Sequence, residues 1–212
     1  MTRFGLIRHA ETVWNRERRI QGQGDSPLTP EGKRMADRWA RLLGAFPWDR
    51  LLVSDSGRAL ATARRIQAEL ERPLEVEPRL RELDWGAWTG RTLAEIGRAE
   101  PETLARQVRA GWDFRPPGGE SRRELLERVR DALGEAARRH EGERLLVVTH
   151  GGVLRSLELF LAGGAIHEAE EAPGRGYRML RVSCGADGRL RLEAVAPLEA
   201  PATTAAPREA AP

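Results

Sequence analysis

Two of the four histidines in this 212-residue sequence stand where chemistry can be done. An apolar run from Phe4 to Ile7 breaks into Arg8-His9-Ala10-Glu11-Thr12, and a second run, Leu145-Leu146-Val147-Val148-Thr149, breaks into His150-Gly151-Gly152. A buried strand that ends in histidine presents an imidazole at the carboxyl edge of a sheet, where open α/β sheets hold their ligands. The small residues after the two histidines, Ala10 and Gly151, let a ligand approach the backbone. If the two strands are neighbours, the imidazoles meet in one pocket, and Arg8 and Arg58 bring two guanidiniums to it. Arginine forks suit the oxygens of a phosphoryl group, which carry the charge that must be stabilised.

The chemistry this set can do is phosphoryl transfer. A neutral His9 attacks phosphorus and splits the transfer into two steps, and the adjacent arginine charges disfavour its protonation. The leaving alkoxide needs a proton from a carboxylic acid, which later takes one from water. Glu82 is the candidate, with Asp84 as its competitor. The scheme requires no metal and no organic cofactor. A lone histidine is more often structural, and His140 and His167 are placed in that class.

The positioning elements follow from the local pattern. Phe4 to Ile7 is a buried strand. Residues 12 to 29 carry two glycines, a proline and small polar residues, which predicts a structured loop rather than a helix. Thr29-Pro30-Glu31 starts a helix, with Thr29 as N-cap and Pro30 at the first helical position; Met35, Trp39, Leu42 and Leu43 supply its apolar stripe. Arg50 to Ser54 is a second strand, followed by a polar turn and a helix from about Ala59 to Leu70. Arg58 thus stands at a helix start, where backbone amides favour an anion.

A short strand runs from Leu74 to Val76. Residues 80 to 90, with two tryptophans and two glycines, form a loop packed by its own aromatics that can hold Glu82. Residues 92 to about 117 look helical to Phe114, lie outside the repeating βα pattern and form a cap segment. Its Arg106, Arg109, Trp112 and Arg115 are better read as a solvated helix face than as a specificity surface. Ser121 opens an amphipathic helix to about His140, with Leu125, Val129, Leu133 and Ala137 on one face. After the strand ending at His150 comes a helix to Leu161, an irregular loop from Gly163 to Gly176, and a hairpin of Tyr177 to Ser183 with Arg189 to Val195. The expected domain is residues 1–196; residues 197–212, mostly alanine, proline, threonine and glutamate, are expected to be a disordered tail.

Composition narrows the classes. Apolar runs of about five residues are too short to cross a bilayer, and no secretory signal pattern opens the chain. The single cysteine, Cys184, rules out an internal disulfide and a multi-cysteine metal site. The expected location is the cytoplasm. The net charge of +3 and pI of about 9.9 would suit nucleic acid only if the basic charge were clustered. Here arginines interleave with glutamates, as in Glu124-Leu125-Leu126-Glu127-Arg128-Val129-Arg130-Asp131, which is a solvated helix face. The expected partner is a small phosphorylated substrate, with no nucleic acid and no membrane; a homodimer is left open.

The ordered motifs resemble those of the histidine phosphatase superfamily, in the branch that includes phosphoglycerate mutases and broad-specificity phosphatases. They are Leu6 to Thr12 with Asn15; Gln21-Gly22 and Asp25 to Thr29 with Gly32; Ser54 to Ala59 with Thr62-Ala63; Leu80-Arg81-Glu82 with Gly86 and Trp88-Thr89-Gly90; Gly118 to Ser121; and Val147 to Gly152. The resemblance implies a three-layer αβα sandwich with a mostly parallel central sheet and no metal. It implies that His9 is the phosphorylated nucleophile, that Arg8, Arg58 and His150 line the phosphate pocket, and that Glu82 is the proton donor and acceptor. Asn15, Gln21 and Gly22 would touch phosphate or substrate, with Gly151 beside them. One departure is Ala10, where the family usually has glycine.

The short span from Glu82 to His150 is similar to that of the compact phosphatases. It favours a metal-independent phosphomonoester hydrolase over a mutase dependent on 2,3-bisphosphoglycerate. The intact set of five residues argues against a phosphate-binding scaffold that has lost turnover.

Overall fold

The computed structural model describes residues 1–164 and 177–198. Most of the predicted loop from Gly163 to Gly176, including His167, and the tail from residue 199 lie outside the described residues. In chain order the elements are β1 (Thr2–Arg8), α1 (Val13–Arg16), α2 (Pro30–Leu43), β2 (Arg50–Val53), α3 (Gly57–Leu70) and β3 (Leu74–Val76). They continue with α4 (Leu93–Ala99), α5 (Pro101–Arg109), α6 (Arg122–Arg139), β4 (Arg144–Thr149), α7 (Gly151–Leu161), β5 (Arg178–Cys184) and β6 (Leu190–Pro197).

The six strands form one sheet in the order β3-β2-β4-β1-β5-β6. The first four run parallel, β5 pairs antiparallel with β1, and β6 antiparallel with β5. Because side chains alternate along a strand, each central strand feeds two cores. Phe4, Leu6, Leu52, Leu145 and Val147 pack with Leu125, Val129 and Leu133 of α6 and with Leu154 and Leu157 of α7. Ile7, Leu51, Val53, Leu146 and Val148 pack with Met35 and Trp39 of α2 and with Ala59, Ala63 and Ile66 of α3. The result is the expected αβα sandwich. Among the described residues no helix is long and apolar enough to cross a membrane.

Local signals placed most elements. Thr29 accepts a hydrogen bond from the Gly32 N–H and so caps α2, with Pro30 at its start. Ser121 and Glu124 form a reciprocal capping box at α6. Four local expectations need correction. Residues 13–16 form a helical turn inside the predicted loop, because Thr12 and Asn15 make a capping box of their own. Leu42 is 51% exposed and lies outside the stripe of α2, next to the buried Leu43. The cap segment is two helices, since Pro101 disfavours helical geometry at Glu100 and starts α5. Pro197 ends β6 and the buried Leu198 donates its N–H to the Tyr177 carbonyl, so the fold runs two residues beyond the expected boundary.

Two helical glycines have opposite environments. A Cβ at Gly32 in α2 would overlap the Glu11 backbone carbonyl, whereas a Cβ at Gly134 in α6 would meet only the tip of Arg138, at 3.8 Å. Glycine inside a helix is worse than alanine by about 1 kcal/mol. Gly134→Ala should therefore raise stability by up to about 1 kcal/mol, and Gly32→Ala should lower it despite the same gain in propensity. Urea denaturation of the two variants checks both signs.

Candidate active site

The site is built by one strand pairing. β1 and β4 are parallel neighbours in the register Leu6↔Val147, Ile7↔Val148, Arg8↔Thr149. The next residues are His9 and His150, and the His9 N–H continues the ladder to the Thr149 carbonyl at 2.9 Å. The two rings lie 5.3 Å apart between centroids, tilted by 60°. Both histidines are buried. His140, assigned a structural place, ends α6, where its Nε2 lies 3.1 Å from Glu75.

Hydrogen bonding sets the His9 tautomer. Its Nδ1 lies 2.8 Å from the Ala10 carbonyl. A carbonyl only accepts, so Nδ1 carries the proton and Nε2 keeps its lone pair. Burial is the main cause that holds the His9 imidazolium well below its ordinary range, and the charges of Arg8 and Arg58 act in the same direction. His150 is lowered in the same way, first by burial and then by Arg58, His9 and Arg8. Its Nε2 lies 2.8 Å from the Ser54 hydroxyl, which in turn lies 3.1 Å from Ser56.

The arginines are held by different means. Arg58 is 1% exposed. It donates from Nη2 to the Gly22 carbonyl at 2.7 Å, and from Nη1 to the Gly24 carbonyl at 2.6 Å and to Asp25 at 3.1 Å. The Asp25 carboxylate also accepts the Arg58 backbone N–H at the start of α3. Arg8 sits 6.0 Å from the Tyr177 ring centroid and 3.5 Å, by Nε, from where a Cβ on Gly151 would stand. Four buried side-chain atoms have no hydrogen-bond partner among the described residues: Arg8 Nε, Arg58 Nε, His150 Nδ1 and Gln21 Oε1. All four belong to residues of this site. Unpaired buried polar groups are costly, and three of these can donate to an anion.

Glu82 comes from the loop after β3. Its carboxylate accepts the Gly152 N–H at 3.0 Å in the first turn of α7 and the Leu83 N–H at 2.9 Å. A Cβ at Gly152 would overlap that carboxylate, which is a physical reason for the second glycine after His150. Asp84 is turned away, accepting the Gly86 N–H of its own loop. The geometry therefore separates two acids that sequence left in competition.

The remaining residues fall into two groups. Gln21 is buried, and Gly22, with φ +52°, turns its carbonyl to Arg58. Asn15 spends its carboxamide oxygen on the capping box with Thr12, which leaves its amide nitrogen for a ligand. The Ala10 methyl is absorbed by the core around α2 and α3, and its N–H is taken by Thr62. In the cap, Arg115 pairs with Glu124 and α5 buries no residue, as on a solvated face, whereas Trp112 departs from that reading, packing against the core from the 3-10 turn Gly111–Asp113. Ser54, Asp25 and Gly152 have no individual role that the sequence alone assigns. Each lies within a motif quoted above, and its part depends on a partner distant in the chain. Among the described residues, no three His, Cys, Asp or Glu side chains converge to hold a metal ion.

A buried pair of histidines stands beside two arginines and a carboxylate on an αβα fold. The chain belongs to the histidine phosphatase superfamily (branch 1), whose profile matches residues 4–193. It is 39% identical over 163 residues to a protein of Enterobacter sp. (strain 638) called probable phosphoglycerate mutase GpmB, spanning 77% of this chain and 76% of that one. It is similar in structure to Bacillus stearothermophilus YhfR, with a TM-score of 0.80, 33% identity, and 91% and 96% of the two chains covered. It is also similar to a mycobacterial glucosyl-3-phosphoglycerate phosphatase, with a TM-score of 0.75, 29% identity, and 91% and 97% covered.

An unfolded histidine titrates near about 6.5, and both site histidines are lowered in the fold. Their nitrogen shifts in an NMR titration should stay those of neutral imidazole at pH 5.5; titration near 6.5 would refute the electrostatic account. The unfolded chain binds these protons first. The two histidines therefore contribute stability that is full above about pH 6.5 and is lost as pH falls below it.

Proposed function

We propose that the protein is a metal-independent phosphomonoester hydrolase that acts on small phosphorylated metabolites through a phosphohistidine. The observation that carries this reading is the His9 tautomer: Nδ1 is tied to a backbone carbonyl, and a lone pair remains on Nε2 in a buried site bordered by two arginines. In the first step His9 Nε2 attacks phosphorus, the P–O bond to the leaving group breaks, and Glu82 gives the departing alkoxide its proton. In the second step Glu82 takes a proton from water, the water oxygen attacks phosphorus, and the P–N bond breaks to release phosphate. The Ala10 carbonyl offsets the charge the ring gains while it is phosphorylated.

Arg8 and Arg58 would hold the phosphoryl oxygens, each with an unpaired buried Nε. A Ser54 hydroxyl donating to His150 Nε2 leaves that ring protonated on Nδ1, which makes it a third donor. Phosphate offers only acceptors, so Gln21 would serve it with its amide NH2. Hydrolysis is favoured by the short span from Glu82 to His150 and by the similarity to a phosphatase. The name carried by the Enterobacter relative keeps a second reading in place, a phosphoglycerate mutase dependent on 2,3-bisphosphoglycerate.

Turnover of p-nitrophenyl phosphate should survive EDTA and fall by about 10³-fold or more in His9→Ala. Acid-labile, base-stable radiolabel from a phosphorylated substrate should be trapped on the wild type and not on the variant. Absent turnover with phosphatase substrates, but interconversion of 2- and 3-phosphoglycerate with added 2,3-bisphosphoglycerate, would decide for the mutase.

A further inference from the structure

The proposed acid stands on neither the sheet nor a helix. Glu82 lies in an irregular stretch between the 3-10 turn Pro78–Leu80 and the turn Gly86–Trp88. Its backbone is held from outside by a side chain that plays no part in the scheme above. Arg128, two turns into α6, donates from Nη1 to the carbonyls of Arg79, at 2.6 Å, and Arg81, at 2.8 Å. From Nη2 it donates to the carbonyl of Glu82 at 3.1 Å. Its Nε and Nη2 grip the Glu120 carboxylate in a fork, at 2.6 and 2.7 Å. An arginine has five N–H donors, and these contacts use every one.

Glu120 closes the brace from the other side. Its carboxylate accepts the Asp84 N–H at 3.1 Å, and its own N–H donates to the Asp84 carbonyl at 3.0 Å. The strand-like approach of the two loops is tight enough that a Cβ on Gly119 would overlap the Asp84 carbonyl. The Gly118-Gly119-Glu120-Ser121 motif therefore has a physical use. Gly119 admits the Glu82 loop, Glu120 binds it and orients Arg128, and Ser121 caps the helix that carries Arg128.

We propose that Arg128, oriented by Glu120, is a positioning residue that sets the reach of the Glu82 carboxylate to the leaving-group oxygen. This rests on the reading of Glu82 as the acid. Three carbonyls on one guanidinium fix the backbone from Arg79 to Glu82, and the Gly152 N–H fixes the carboxylate itself. Without the guanidinium, the histidines and arginines stay on their strands and helix, while the acid loses its anchor. A lysine has three donors from a point rather than a planar fork and can replace only part of this.

The leaving group separates this role from general support of the fold. p-Nitrophenolate departs readily without a proton, whereas an alkoxide such as that of glycerol phosphate depends on the acid, worth about 10²–10⁴-fold. The readout is kcat/KM, which reports the step in which the P–O bond breaks. Arg128→Met should lower it about 10- to 100-fold for glycerol phosphate and less than about 3-fold for p-nitrophenyl phosphate, with Arg128→Lys in between. Glu82→Gln is the reference and should show the same selectivity, more strongly.

Equal losses on both substrates in Arg128→Met, beside a selective Glu82→Gln, would overturn the positioning role and leave the acid in place. Equal losses in Glu82→Gln would overturn the acid assignment itself. If Arg128→Met does not fold, Arg128→Lys and Glu120→Gln carry the same comparison.

Discussion

Everything at the site depends on the register of β1 against β4. Because Arg8 stands beside Thr149, the first residues past the ladder are His9 and His150, and their rings meet at 5.3 Å. A slip of one residue would turn Phe4, Leu6 and Ile7 to the wrong faces. The two cores that clamp the sheet, one against α6 and α7 and one against α2 and α3, therefore also fix the distance between the imidazoles. The hydrophobic pattern is what makes the spacing of the two imidazoles rigid.

That rigidity lets the fold bury cations. Arg58 is almost wholly removed from water, and burying a charge is expensive unless it is paired and hydrogen-bonded. The pairing here is deliberate in its incompleteness. Two carbonyls and Asp25 hold the tips of the guanidinium, yet Nε is left without a partner, as are Arg8 Nε and His150 Nδ1. In the proposed reaction these unpaired donors are what a dianionic phosphoryl group would satisfy, a form of electrostatic preorganisation. Burial first, and then the charges of the same two arginines, hold the His9 imidazolium well below its ordinary range, so in the proposed reaction the charges that meet the substrate also favour a neutral His9.

The strands, the long helices and the residues at their ends were legible in the sequence because each is specified locally. Apolar runs ending in histidine, Thr29-Pro30 and Ser121 with Glu124 are signals a few residues long. What escaped depends on tertiary contact. What sets Glu82 apart from Asp84 is its hydrogen bond from the Gly152 N–H, seventy residues away in the chain. The capping box of Thr12 and Asn15 was hidden by a loop-like composition, and Leu42 fell outside a stripe that periodicity alone included. The glutamates and arginines of α6 form a solvated face in sequence, and most are that. Arg128 differs only because the loop that follows β3 folds over it.

The site thus has two halves with different foundations. The proposed phosphate half, with His9, Arg8, Arg58 and His150, stands at the edge of the sheet and the start of α3, with all but Arg8 buried. The acid half hangs from α6 through Glu120 and Arg128, and the same stretch of chain between Glu82 and Glu120 carries the cap helices α4 and α5. The cap is tied back to the phosphate half where Ile20 exchanges backbone hydrogen bonds with Gly90 and Arg91 and Arg19 pairs with Glu95, next to Gln21 and Gly22. Phosphate chemistry is the same for every monoester, while the leaving group differs. In the proposed reaction, mounting the acid and the cap on one segment, apart from His9, would let leaving-group recognition change without disturbing the register that brings the histidines together.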